Sequence, residues 1–132
     1  MRIVEKNSLI WETILGQVVS KANNYLSVPA SNGERRIIKS ERMRAYENSF
    51  ALQCQLYRDK NIDRPFKLHI IVFESTWSYD LDNALKGVLD NLQYCHAITN
   101  DNLCVAINAR KAIDRQNPRI VYAIEELEPK LF

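Results

Sequence analysis

The chain has little of what usually announces a class. Its three cysteines, Cys54, Cys95 and Cys104, are an odd number and form no Cys-x-x-Cys pair. That excludes a disulfide framework and points to a reducing compartment. Cys95 and His96 are adjacent, but no second pair with ligand spacing accompanies them, so a zinc site is set aside for buried cysteines. No apolar run reaches the roughly 18 residues that a membrane helix needs. The first dozen residues carry Arg2, Glu5, Lys6 and Glu12 and hold no apolar core of a secretory leader. These absences predict a soluble, cytoplasmic protein. Repeats and low-complexity segments are missing too. Neither charge sign dominates: 18 Lys and Arg against 16 Asp and Glu give +2, too little to imply an acidic partner from the total alone.

What is present fits one domain, residues 1–132. A chain of this length buries roughly two-thirds of its extended surface. Leu9 to Leu15 is rich in β-branched and aromatic residues and reads as a strand ended by Gly16. Residues 21–39 turn polar and read as a long loop, punctuated by Asn23-Asn24, Pro29 and Ser31-Asn32-Gly33. Lys21, Arg35, Arg36 and Lys39 lie on it with Tyr25 between them. That composition suits phosphate contacts and base stacking, and equally a solvated loop with scattered charge. Ser40 is placed to cap a helix running to about Asp59, with Met43, Tyr46, Phe50, Cys54 and Tyr57 as its buried stripe. Arg42 and Arg44 sit in its first turn, where cations oppose the helix dipole unless an anion is near.

Phe66 to Phe73 is the clearest strand. Phe66, Leu68, Ile70 and Val72 share one face, and Ile71 and Phe73 on the other predict a central strand covered on both sides. His69 within it reads as structural. A second helix is expected from about Leu81 to Gln93, with Gly87 required by a tight contact. Cys104 to Lys111 and Arg119 to Glu126 read as strands joined in a hairpin. The tail from Glu128 carries no clear signal. The expectation is α/β (α+β): one small domain, a mixed β-sheet with two main helices, order β-α-β-α-β-β.

The densest chemistry lies in Ser78 to Asp101. Asp80 and Asp82 stand two residues apart, Lys86 follows Asp82 by four, and Asp90 and Asp101 come later. On one helix, residues i and i+2 point about 200° apart. The two carboxylates therefore converge most easily if Asp80 ends the extended segment and the helix starts after it. Asp80 is then the N-cap, Asp82 is in the first turn, and Lys86 and Asp90 continue along the Asp82 side. A 13-residue helix is about 20 Å long, and the residues from Tyr94 to Asn100 reach about 23 Å when extended. Asp101 is thus expected beside Asp80 and Asp82. Clustered carboxylates call for a cation, and oxygen-only ligands suit magnesium or manganese. A metal so held activates water and stabilises charge on a phosphate oxygen, with Lys86 supporting the transition state. The ordinary readings stay open beside this one. Aspartates at a helix start are common caps, Asp82 with Lys86 is a common i,i+4 pair, and Asn100-Asp101-Asn102 is a common turn. An EF-hand is excluded, because its glycine position falls on Leu85.

Asp80-Leu81-Asp82-Asn83-x-x-Lys86-x-x-x-Asp90 resembles the core motif of the RusA-type Holliday junction resolvases, endodeoxyribonucleases of bacteria and their phages. Asn100-Asp101-Asn102-Leu103-Cys104 is similar to that family's later acidic turn. Gly16 to Lys21, Pro29-Ala30-Ser31-Asn32, and the Lys39-Ser40 approach to a helix bearing Tyr46 extend the likeness upstream. The chain departs from the family pattern at Tyr79, where arginine is frequent, at Asn100, where aspartate is frequent, and at Cys104.

The resemblance implies that Asp80, Asp82 and Asp101 are metal-binding catalytic carboxylates and Lys86 the catalytic lysine. It implies a homodimer that nicks opposed strands of a four-way DNA junction with Mg2+ or Mn2+, a symmetric enzyme for a symmetric substrate. Lys21, Arg35, Arg36, Lys39 and Arg42 are the candidate contacts to the DNA backbone. Two alternatives stand beside it: a nuclease for flaps or other branched DNA, and a junction-binding protein that does not cut.

Overall fold

The computed structural model describes residues 8–20 and 24–128; Lys21 and the last four residues lie outside them. Four strands form the main sheet: β1 (Glu12–Leu15), β4 (Phe66–Glu74), β5 (Cys104–Ile113) and β6 (Arg119–Glu126), in the order β1-β6-β4-β5. β6 runs antiparallel to both β1 and β4, while β4 and β5 are parallel. The sheet is therefore mixed, as expected, with two helices, α1 (Glu41–Gln53) and α2 (Leu81–Tyr94). The parallel β4–β5 pair is joined through α2, since parallel neighbours need a long crossover.

β5 and β6 do not form the expected hairpin, because β4 lies between them. β4 is the most apolar strand and takes a partner on each edge. The 114–118 connection passes over the end of β4. Strands one apart are separated by about 10 Å, within reach of five residues. Asp114 holds this turn, accepting from Gln116 N and Asn117 N and pairing with Arg119 at 2.9 Å.

β4 is central, but only one of its faces is covered. Phe66, Leu68, Ile70 and Val72 are buried with Met43, Tyr46 and Phe50 of α1 and Ala84, Val88 and Leu92 of α2. Lys67, His69, Ile71 and Phe73 are half-buried, since both helices occupy the other face. His69 is structural, with Nε2 2.8 Å from Glu125 Oε1 and Trp11 edge-on to its ring.

The loop read over 21–39 contains a hairpin. β2 (Tyr25–Pro29) and β3 (Arg35–Lys39) pair antiparallel, apart from the main sheet. Gly33 supplies the positive φ of the turn, and Asn32 Oδ1 accepts from Glu34 N. The hairpin buries neither face fully, so its strands lack the alternation that marks a half-buried strand. Its base is fixed by Ser40 N donating to Asn24 O at 2.7 Å.

α1 begins as expected, with Ser40 Oγ accepting from Met43 N at 3.1 Å. It stops at Gln53, earlier than the apolar stripe implied. The buried Glu12 carboxylate accepts from Gln55 N and Leu56 N, at 2.9 and 2.8 Å, and from the Tyr122 hydroxyl at 2.7 Å. A strand residue thus captures the amides that would have continued the helix. Cys54 and Tyr57 remain in the core beyond it.

Candidate active site

Asp80 is the N-cap residue of α2, with extended backbone (φ −84°, ψ 135°), and Asp82 lies in the first turn. This is the arrangement that brings carboxylates i and i+2 to one end of a helix. Asp80 makes no side-chain capping hydrogen bond, so its carboxylate is not spent on the cap. Asn83 Nδ2 approaches it at 3.4 Å. The loop before it is held from β5: Lys111 Nζ donates to the carbonyls of Tyr79 and Trp77, at 2.6 and 3.1 Å. Asp82 and Lys86 are both exposed, and they are not among the ion pairs of the described residues. The ordinary cap and the ordinary i,i+4 pair are therefore both unformed, and the side chains stay available to a ligand.

Asp80 lines a cleft of about 360 Å³ between the start of α2 and residues 18–20, together with Asn24, Arg42, Ser78, Tyr79 and Glu74. Glu74, the last residue of β4, is 1% exposed. Its Oε2 accepts from Gln17 Nε2 at 2.8 Å, while Gln17 Oε1 accepts from Ser75 N at 2.9 Å. Its Oε1 is buried with no hydrogen-bond partner. Burial pushes the Glu74 carboxyl above the usual range, opposed by the Gln17 hydrogen bond and the Lys111 charge.

Asp101 stands elsewhere. Its backbone N donates to Gln93 Oε1 at 3.0 Å, and Gln93 is about 20 Å along the helix axis from Asp80. It lines a second, larger cleft of about 700 Å³ with Asp90, Gln93, Tyr94, Lys39 and Glu47. The expected return of Asp101 to the side of Asp80 and Asp82 does not occur within one chain. Residues 94–100 do not run back along α2. They turn aside and pair with 59–62: Asn61 N donates to His96 O, Ile62 N to Ala97 O and Thr99 N to Ile62 O, and Ala97 and Ile98 are buried. Among the described residues, no three His, Cys, Asp or Glu side chains come together as a metal cluster.

The expected cations divide by what they touch. Arg42 lines the Asp80 cleft and reaches the Tyr79 hydroxyl at 3.5 Å. Arg36 is exposed on the hairpin. The Arg35 guanidinium bonds Ser27 Oγ and the Ser27 carbonyl at 3.1 and 2.7 Å. Lys39 is paired with the buried Glu47 at 2.7 Å, which raises its affinity for a proton. Lys21 lies outside the described residues.

Sequence reasoning passed over Glu74, Gln17 and Lys111. A signal for Glu74 was present. It falls one step beyond the strand as read, in phase with the buried positions 66, 68, 70 and 72, and a charge on that parity is rarely idle. Gln17 and Lys111 act through tertiary contacts and carry no local signature.

No curated protein sequence matches the chain. No helix of the described residues is long and apolar enough to cross a membrane. The family model described as endodeoxyribonuclease RusA matches residues 16–125, a span that holds the β2–β3 hairpin, both helices, both clefts and the Asp80–Asp82–Lys86 group. The chain belongs to the RusA endodeoxyribonuclease family.

Proposed function

We propose that the chain is a magnesium- or manganese-dependent endonuclease that resolves four-way DNA junctions as a homodimer by symmetric nicking. The observation that carries this is the pair of carboxylates free of capping and ion-pair bonds, Asp80 at the N-cap and Asp82 in the first turn, with exposed Lys86 further along α2. The donor set suits the ion: Asp80 and Asp82 are hard oxygen ligands, and Glu74, whose Oε1 is buried without a hydrogen-bond partner, is among the residues lining the Asp80 cleft. A bound divalent cation supplies the activation of water and the neutralisation of phosphate charge on which phosphodiester hydrolysis depends. Asp80 and Asp82 hold that ion, Lys86 stabilises charge on the phosphate in the transition state, and Arg42 steadies the backbone phosphate at the cleft. Lys111 keeps Asp80 in place by pinning the preceding carbonyls. Arg36 and Arg35 extend the contact with DNA backbone along the hairpin, and Lys21 remains a further candidate contact.

Asp101 belongs to the same set by its place in the family motif. Its distance from Asp80 within the chain gives the dimer a chemical role. A second copy whose α2 runs antiparallel to the first brings an Asp101 end to an Asp80 end. Nicking of labelled four-way junction, flap and linear duplex, each with Mg2+ or with chelator, tests the substrate claim. Symmetric nicks in the junction with Mg2+ alone are expected. Preferential flap cleavage supports the branched-DNA nuclease instead, and tight binding without cleavage supports a junction-binding protein.

A further inference from the structure

Glu74 is the one carboxylate of the Asp80 cleft that is wholly enclosed by protein. It closes the buried face of β4, a position that sequence alone would fill with an apolar residue, and it faces the two helices. The orientation of Gln17 is fixed, because its Oε1 accepts from the Ser75 amide. Gln17 therefore presents its NH2 to Glu74 Oε2, which must act as an acceptor. Lys111 is electrostatically coupled to Glu74, yet its Nζ is occupied by the carbonyls of Trp77 and Tyr79. Tyr46 also feels the Glu74 charge, and its hydroxyl is likewise buried without a partner. Glu74 Oε1 thus has no hydrogen-bond partner within the protein, a place that a cation can fill.

We propose that Glu74 is a ligand of the divalent cation held at Asp80, so that the ion sits between the end of β4 and the N-cap of α2. This rests on the metal-dependent reading above and extends it to a residue outside the Asp80–Asp82–Lys86–Asp101 set. The cation satisfies the orphaned oxygen and gives the buried carboxylate the opposite charge that a buried charge requires. It also accounts for the Gln17 tether on Glu74. Gln17 fixes one carboxylate oxygen and so directs the other, as outer hydrogen bonds orient metal-binding carboxylates. Asp80 and Glu74 leave the remaining coordination positions to solvent and the phosphate of the substrate, as befits an ion that keeps several waters.

Calorimetric titration of the full chain with Mn2+, without DNA, tests the assignment on Glu74→Gln, with Asp80→Asn as the reference. Glu74→Gln keeps the side-chain shape and removes the charge. The expected result is Mn2+ affinity weakened by about tenfold or more in both variants, and a Mn2+-induced rise in Tm that is present in the wild type and lost in Glu74→Gln. Glu74→Met, apolar and of similar length, gives the same reading should the amide fail to fold. Wild-type affinity in a folded Glu74→Gln or Glu74→Met, with Asp80→Asn impaired, overturns the role of Glu74 alone. Affinity unchanged in Asp80→Asn as well overturns the metal site at Asp80, and the functional reading with it.

Discussion

Gly87 of α2 packs so closely under Val19 that a Cβ on it would stand 2.8 Å from the Val19 carbonyl oxygen. Val19 lines both clefts, and Gly87 lines the larger one. The contact fixes the distance between the 18–20 segment and the helix that carries Asp80 and Asp82. Glycine inside a helix costs about 1 kcal/mol against alanine, so an isolated helix would gain from Gly87→Ala. Here the obstacle is backbone, and overpacking of that kind costs about 1–3 kcal/mol. The substitution is expected to lower Tm by a few degrees and to reduce nicking, because both cleft walls move. Thermal denaturation measures the first effect, and a Tm at or above wild type contradicts the contact.

Glu74 sets a pH dependence of stability in chelator. Burial raises its carboxyl in the folded state above the ordinary glutamate range, against the lowering effects of the Gln17 hydrogen bond and the Lys111 charge. The folded protein therefore holds this proton more tightly than the unfolded chain. Stability falls as pH rises from the ordinary glutamate range through the raised value. Glu74→Gln removes that loss. Its stability relative to wild type is expected to be lowest at pH below the ordinary glutamate value and to increase toward a plateau at neutral pH. Urea unfolding of both proteins across pH, without metal, checks the sign.

The cations of the hairpin and of α1 should separate in salt titrations of junction binding. Arg36→Ala and Arg42→Ala are each expected to reduce the slope of log K against log salt by about 1, the signature of one lost phosphate contact. Lys39→Ala should change the slope less and stability more, because it leaves the buried Glu47 without its 2.7 Å partner. A full unit of slope lost in Lys39→Ala alone reverses this assignment.

Much of this arrangement was legible in the sequence, and the exceptions share a cause. The place of Asp80 outside the helix and Asp82 within it follows from the 3.6-residue period once the two carboxylates are taken to converge. Gly87 announced its contact by its cost. Ser40 and the Met43–Tyr46–Phe50 stripe were local signals and held. The early end of α1 depends on Glu12, some 40 residues away. The separation of β5 from β6 depends on β4, and the position of Asp101 depends on the pairing of 94–100 with 59–62. These are tertiary choices, made where another segment offers hydrogen bonds that the local pattern does not record. The β2–β3 hairpin escaped for the opposite reason. Its Asn32-Gly33 turn was visible, but strands that bury little surface show little alternation.

The separation of Asp101 from Asp80 can be read in mixed dimers. Where one copy lends Asp101 to the other, co-expressed Asp80→Asn and Asp101→Asn chains form one site carrying both substitutions and one carrying neither. Nicking by the mixture is then expected to exceed that of either variant alone by well over tenfold. No recovery on mixing places Asp101 with Asp80 of its own chain, after a rearrangement of residues 94–100.

The central claim is that the N-terminus of α2 is the cutting site. The most direct test is single-turnover nicking of a four-way junction in Mg2+ by wild type and Asp82→Asn. Asp82 is exposed, and exposed substitutions rarely change stability by more than about 0.5 kcal/mol, so Tm and junction binding should be retained. The expected result is Mg2+-dependent paired nicks by the wild type and a loss of at least about a hundredfold in Asp82→Asn, the order seen when a charge-stabilising group is removed from an active site. Nicking by Asp82→Asn at the wild-type rate contradicts the account.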